Sequence, residues 1–397
     1  MVLHGNRPED LRQLLVAWLR RHPLAPLENE VVLVQSNGIA QWLKLALAAD
    51  PGDPAGAGLG ITAATQLQLP AQFLWRAYRA VLGADAVPER SPLDEAPLTW
   101  RLMRLLPDLL GQSGFAPLAR FLAEDADLRK RHQLAQRLAD LFDQYQVYRA
   151  DWLADWAAGR DVVRHLRSGE HALPADQRWQ ALLWRALVED AGAAGQAGSR
   201  AGVHQRFIAA LAGHAGPAPA GLPRRVVVFG ISALPAQTLQ ALAAIAGVAQ
   251  VMLFVHNPCR HHWTDIVADQ DLLRGPYRRQ ARRAGMPAVL DEAALHQHAH
   301  PLLAAWGKQG RVYLHLIDSF DQPDRYRAAW AGVAGPGEGR IDLFSEDAAP
   351  AGLLQQLQDD ILDLRPLAET RARWPAVDTA QDRSLRLHST HSAQREV

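Results

Sequence analysis

The sequence predicts an α/β fold, a parallel-sheet domain with an all-helical domain inserted into it. Three observations carry this. Val31–Val34 is a short β-branched run, followed by the polar turn Gln35-Ser36-Asn37-Gly38 and an apolar-periodic helix. The strand–helix pattern returns at Arg225–Phe229 and again at Val251–Val255. Between them, from about Leu69 to Leu211, apolar residues recur at helical spacing with few strand signals. Consecutive strand–helix units argue for a parallel sheet covered by helices.

The elements follow in order. Val2–Leu3 leads through His4-Gly5-Asn6-Arg7 to a helix from about Leu11 to Arg21, with Pro8, Glu9 and Asp10 at its start and Arg20-Arg21-His22 at its end. Val31–Ala49 is the second strand–helix unit, and residues 51–60 form a Gly/Pro loop. Helices are expected at Ala71–Leu82, Pro97–Leu110, Leu128–Tyr148, Trp152–Ala158, Gln177–Ala191 and Val203–Ala212. The runs 191–202 and 213–223, rich in Ala, Gly and Pro, read as linkers. Arg225–Phe229 leads through Gly230-Ile231-Ser232-Ala233-Leu234-Pro235 to a helix ending near Ile245, and Val251–Val255 is a further buried strand. Leu302–Asp318 reads as a helix or a helix–strand, residues 320–350 as irregular, Leu353–Leu364 as a helix and Leu385–Ser389 as one more strand. That strand and the helix start after it have nothing to pack on, so the chain is expected to be part of a longer protein.

Composition narrows the function. At 397 residues there is room for two or three domains, and 48% apolar with 21% charged residues describes an ordinary globular chain. The 42 basic and 42 acidic residues cancel, so nucleic acid would be attracted only by a local patch. Of the cations 39 are arginine, which reflects a GC-rich coding sequence more readily than a polyanion-binding surface. The single cysteine, Cys259, excludes an internal disulfide and any cysteine-based zinc site. Neither a signal peptide nor an apolar run of about 18 residues is present, and a cytoplasmic, membrane-free setting is expected.

A P-loop needs glycines for close backbone approach and a lysine for the phosphates. The first loop here offers Glu9 and Asp10 instead, and Gly307-Lys308 continues with Gln309 and lacks the upstream glycine. Nucleotide hydrolysis is not expected. The histidines at 256, 261 and 262 and at 296, 298 and 300 have no carboxylate or cysteine at ligand spacing and read as surface loops.

Two stretches are better suited to reading a ligand. At the carboxyl edge of the sheet, Gln35, Ser36, Asn37 and Gln41 offer amides and a hydroxyl but no strong acid, base or nucleophile. In the 128–148 helix, Leu134, Leu138, Leu141, Phe142, Tyr145 and Tyr148 form an apolar stripe, and Gln136, Asp140, Asp143 and Gln144 share the opposite face. That face is either solvated or reads base edges, aspartate accepting from cytosine and glutamine pairing with adenine. Trp75 either fills the core or stacks on a base. Arg129-Lys130-Arg131 and the arginines at 274, 278, 279, 282 and 283 are solvated faces or phosphate contacts.

The chain resembles the N-terminal part of the exodeoxyribonuclease V gamma-subunit family, the RecC subunits of RecBCD helicase–nucleases. The similar stretches run in order through the whole chain. They are His4-Gly5-Asn6-Arg7, Leu33 to Leu43, Leu69-Pro70-Ala71 with Phe73 and Trp75, Asp140-Leu141-Phe142-Asp143-Gln144-Tyr145 with Val147-Tyr148-Arg149, Phe229 to Pro235, Asn257-Pro258-Cys259-Arg260, Pro301 to Ala304 with Trp306-Gly307-Lys308, and His391-Ser392 with Gln394 to Val397.

The resemblance implies a degenerate superfamily 1 helicase-like fold without ATPase motifs. Residues 1–68 plus 213–375 would form a 1A-like domain, 69–212 a helical 1B-like insertion, and 376–397 the start of a truncated 2A-like domain. It also implies a non-catalytic subunit that binds single- and double-stranded DNA for double-strand break repair. Such a subunit guides the 3′-ended strand and recognises the Chi hotspot. ATP and magnesium would be used by beta (RecB-like) and alpha (RecD-like) partner subunits, with no cofactor in this chain. Chi-reading positions fall, by motif match, on Gln35, Asn37, Gln41, Leu69, Trp75, Asp140, Leu141, Asp143, Gln144 and Arg149, with Arg200 on looser flanks. Asn37 stands where the best-known members carry threonine. The alternative is a scaffold whose polar faces meet protein rather than DNA.

Overall fold

The computed structural model describes residues 1–52, 58–124, 128–165, 169–214, 216–261, 263, 300–321, 343–346, 352–365 and 367–391. In chain order the strands and α-helices begin β1 (Val2–Gly5), α1 (Pro8–Arg21), β2 (Glu30–Leu33), α2 (Asn37–Ala48), β3 (Thr65–Gln68), α3 (Pro70–Leu82), α4 (Glu95–Leu109), α5 (Ala116–Phe121), α6 (Arg129–Tyr148) and α7 (Ala150–Ala157). They continue with β4 (Val162–His165), β5 (Gly169–Ala172), α8 (Arg178–Ala197), α9 (Arg200–Ala212), β6 (Arg225–Phe229), α10 (Ala236–Ile245) and β7 (Gln250–His256). The last are α11 (Pro301–Trp306), α12 (Lys308–Phe320), α13 (Leu353–Leu362) and α14 (Leu367–Arg373).

The chain divides into two units. One comprises Met1–Leu67, Val227–Ala233 and Met252–Val397, and the other Gln68–Val226 and Leu234–Val251. The first is the α/β unit. Its sheet has the order β1-β7-β6-β2-β3. β1 and β7 run parallel, with Val2 opposite Leu253 and Gly5 opposite His256. β6 and β7 run the same way, since Gln250 N donates to Arg224 O and Gly230 N to Phe254 O. Val226–Phe229 of β6 and Val251–Val255 of β7 are apolar and buried, as strands covered on both faces are. α1 begins with Pro8, Glu9 and Asp10, ends with Arg20 and Arg21, and buries Leu11, Leu15 and Trp18 on Val32, Phe229 and Phe254.

The second unit is largely helical. Leu98, Leu102 and Leu106 of α4 pack with Leu138 and Phe142 of α6, Trp156 of α7 and Trp184 of α8. The Phe142 and Trp184 rings stack with centroids 5.4 Å apart. α10 belongs here, packed on α3 and α9.

Several expectations are corrected. The stretch 191–202 is not a linker, since α8 runs to Ala197 through a kink at Gly192 and α9 starts at Arg200. Leu385–Ser389 is not a strand and has no ladder partner among the described residues, with Leu387 fully exposed. β3 and the antiparallel β4–β5 hairpin were not expected. Tyr148 is 64% exposed and off the apolar stripe, where Gln146 is buried instead. The arginines at 274–283, the histidines at 262, 296 and 298, and most of 320–350 lie outside the described residues.

Candidate nucleic-acid interface

The candidate residues fall into separate groups. Gln35, Asn37 and Gln41 belong to the α/β unit, and the others to the helical unit.

In the α/β unit, Val34 is buried at the end of β2 and the chain then surfaces. Ser36 is the N-cap of α2, and its Oγ accepts from Ile39 N at 3.3 Å. Its hydroxyl is therefore used to start the helix. Gln35, Asn37 and Gln41 are exposed, with Gln41 one turn along α2 from Asn37. Gln35 Oε1 accepts from Ser232 Oγ at 3.4 Å, which joins the turns after β2 and β6. The turn after β1 is different. Asn6 Nδ2 donates to Ser345 O at 2.9 Å and Asn6 Oδ1 accepts from Ser345 N at 2.9 Å. Ser345 Oγ donates to Asp10 Oδ2 at 3.0 Å. Residues 343–346 thus fill the turn where a phosphate-binding loop would stand in a nucleotide-binding α/β fold.

In the helical unit, α6 carries a polar row in which Gln136 and Gln144 are exposed and Asp140 is half-buried. Gln144 Nε2 donates to both Asp140 carboxylate oxygens at 3.1 Å, and Gln136 lies one turn back. Gln136, Asp140, Arg137, Glu95 and Phe121 line an open groove of about 560 Å³. Asp143 turns away from this row. Its Oδ1 lies 3.1 Å from Arg200 Nη2, and Arg200 Nε donates to Asp94 Oδ1 at 3.0 Å. Asp94 Oδ2 in turn accepts from Ser91 N at 3.1 Å. Burial raises the Asp143 carboxyl above its ordinary range, Arg200 opposes this, and Asp94, Glu95 and Asp140 add to it. Arg200 is placed by the α8–α9 corner. Ser199 Oγ caps α9 by accepting from Gly202 N at 3.1 Å, and a Cβ at Gly202 would lie 2.4 Å from Gln196 O.

Trp75 is half-buried, and its Nε1 donates to the carbonyls of Pro88 at 3.1 Å and Glu89 at 3.0 Å. The indole is therefore fixed rather than free to swing. Together with Arg200 and Asp94 it lines a cavity of about 210 Å³. Leu69 is exposed at the start of α3, and Leu141 is half-buried on α6. Arg149 is held by Asp151 through two bonds of 3.1 and 2.9 Å, by Arg164 O, and by the Trp152 ring 3.8 Å away. The structure brings together Trp75, Asp143 and Arg200, and separately Asp140 and Gln144. It places Arg149 in the packing of α6 on α7 and β4.

Asp94 and Gln146 were not singled out from the sequence. Gln146 is one turn beyond Phe142 and two beyond Leu138, so a polar residue at a core position was the available signal.

The RecC N-terminal domain model matches residues 1–364. The chain belongs to the RecC family. It is 37% identical over 419 residues to RecBCD enzyme subunit RecC of Escherichia coli (strain K12), covering all of this chain and 34% of that one. It is 33% identical over 429 residues to the RecC subunit of Haemophilus influenzae, covering all of this chain and 35% of that one. With the RecC subunit of Mycolicibacterium smegmatis the identity is 28% over 409 residues, again across this whole chain and 31% of the relative. The chain therefore spans about a third of the length of the RecC relatives it matches. Among the described residues no helix is long and apolar enough to cross a membrane. Among the same residues no three His, Cys, Asp or Glu side chains gather as metal ligands would.

Proposed function

We propose that this chain is the leading part of a non-catalytic DNA-binding subunit of a RecBCD-type helicase–nuclease. It guides the 3′-ended strand and reads the Chi hotspot through base edges. ATP hydrolysis and strand cutting belong to the RecB-like and RecD-like partners, which use ATP and magnesium. The observation that carries this reading is the row of Gln136, Asp140 and Gln144, the glutamines exposed and Asp140 half-buried, whose paired amide and carboxylate carry no net attraction for phosphate. A carboxylate beside DNA is repelled by the backbone, so its use there is to accept from a base edge. Gln35, Asn37 and Gln41 provide an exposed, uncharged polar set in the α/β unit. The assignment of nucleotide chemistry to the partners is supported by residues 343–346 in the first turn.

Strand-cutting maps on random-sequence duplexes test this, with the full-length subunit assembled with its partners. Cutting is expected to change after one short motif. Gln41→Ala combined with Asp140→Ala abolishes that change while unwinding continues. A double variant that still responds as wild type sinks the base-reading role and favours the scaffold. Arg149 is held by Asp151, the Arg164 carbonyl and the Trp152 ring.

A further inference from the structure

Leu27 of the α/β unit combines two costs in one residue. Ala25-Pro26-Leu27-Glu28 is a tight turn, closed by Glu28 N donating to Ala25 O at 3.0 Å and braced by Ala25 N donating to Glu28 Oε2 at 3.1 Å. Leu27 holds φ at +69°. Proline at the second position and a positive φ at the third make this a type II turn, whose third position suits glycine or asparagine. A leucine there is strained. Its side chain is also 92% exposed, so no burial within the chain offsets the strain. Leu364 shares a positive φ, +51°, but is fully buried. Backbone strain that local packing does not repay is a pointer to function.

Leu27 is not isolated. β2 and β3 start side by side, with Glu30 N donating to Ala64 O at 2.8 Å, so the loops that carry Leu27 and Ile61 adjoin. The second loop runs along the end of α2, where Leu59 N donates to Leu47 O at 2.7 Å and Gly60 N to Ala49 O at 2.9 Å. Ile61 is 78% exposed, and Leu45, one turn before Ala49, is 62% exposed. One exposed leucine needs no explanation, whereas three large aliphatic side chains on adjoining segments form a patch. Residues 23–27 (Pro-Leu-Ala-Pro-Leu) and 58–67 carry no charged side chain, in a chain that is 21% charged. Lys44 and Asp50, exposed and of opposite sign, flank them. An apolar centre depleted of charge within a polar rim is the make-up of a protein–protein interface. With no net positive charge the patch has no pull on a nucleic-acid backbone. It also stands at the opposite end of β2 from Gln35 and Asn37.

We propose that this patch is a docking surface for a partner subunit, which offers an uncharged apolar groove that takes Leu27 as the anchor with Ile61 and Leu45 beside it. The turn is preset by Pro26 and Glu28, so little ordering is lost on binding. The inference rests on the chain being one subunit of a RecBCD-type assembly and is independent of base reading.

The test uses the full-length subunit and its partners. Hydroxyl-radical footprinting of Leu27, Leu45 and Ile61 compares the subunit alone with the assembled complex. Side chains that react in the subunit alone and are protected in the complex support the docking surface. Protection already present in the subunit alone means that the rest of the same polypeptide covers the patch, and reaction in both states means that nothing does. Either result overturns the inference. Leu27→Asn gives a second readout. Asparagine tolerates the positive φ, so the variant subunit should unfold at an equal or higher urea concentration, while its affinity for the partners falls about tenfold or more. Leu27→Met keeps an apolar side chain of similar volume and should assemble within about threefold of wild type. An asparagine variant that loses stability, or that assembles as wild type does, overturns the inference. If the wild-type subunit binds no partner, the assembly reading falls together with the docking surface.

Discussion

Arg149 binds Asp151, the Arg164 carbonyl and the Trp152 face at once, which only a planar guanidinium can do. An exposed ion pair contributes little and a cation–π contact about 0.5–1 kcal/mol. Arg149→Ala should therefore destabilise the helical unit by about 1–2 kcal/mol in urea denaturation, given the carbonyl bond lost as well. Arg149→Lys should recover less than half of that. An unchanged midpoint for the alanine variant would show that these contacts do not stabilise the helical unit. This residue was legible as a motif position but not as a structural one, because its partners Asp151, Trp152 and Arg164 meet only once α7 and β4 have folded back. Gln41, Asp140 and Gln144 were more readable, since helical spacing alone settles which residues share a surface row. Asp143 was placed in that row by spacing and belongs instead to the Arg200 pair, one step around the helix.

At the scale of elements, three helices of the helical unit meet through a single histidine. His204 of α9 is 1% exposed. Its Nδ1 lies 2.9 Å from the Tyr78 hydroxyl of α3, and its Nε2 lies 3.1 Å from Gln240 Oε1 of α10. The neutral ring satisfies both, accepting from Tyr78 and donating to Gln240. Burial lowers its pKa below the ordinary 6.5, with the Gln240 bond acting the other way. The unfolded chain then binds a proton that the folded chain refuses, so stability falls as pH drops below about 6.5 and levels off below the folded pKa. His204→Phe should cost about 1–3 kcal/mol at pH 7.5 through the orphaned partners, and its stability should be flatter between pH 7 and 5. Equal slopes for the two proteins would show that His204 does not titrate on unfolding. The turn after β6 makes a second element-scale case. Gly230 holds φ at +64°, and two residues later Ser232 reaches Gln35. Gly230→Ala should cost about 1–2 kcal/mol for the left-handed backbone, visible as a lower thermal midpoint. Elements with long apolar runs, β6 and β7, were read correctly from the sequence. The β4–β5 hairpin was not, because its four-residue strands are short and β5 is exposed throughout, leaving no alternation to detect.

At the scale of the whole chain, the first turn of the α/β unit is completed by residues more than three hundred positions away. Asn6 N donates to Leu343 O at 3.3 Å, its side chain pairs with both backbone groups of Ser345, and a Cβ on Gly5 would lie 3.0 Å from Leu343 Cβ. No local pattern in the sequence announces such a contact, which depends on residues 5–6 and 343–345 both having reached the sheet. Two obstacles to nucleotide binding can be separated here: a blocked turn and missing chemistry. Asn6→Ala combined with Ser345→Gly should loosen the plug, cost about 1–3 kcal/mol, and speed amide exchange at Asn6 by at least about tenfold. Even then no saturable binding of ATP with magnesium should be measured by calorimetry. The loop Arg7-Pro8-Glu9-Asp10 still lacks the lysine that reaches the phosphates, and its two carboxylates repel them. Binding gained by the loosened variant would mean that residues 343–346 act as a gate over a working site, and the assignment of nucleotide chemistry to the partner subunits would have to be withdrawn.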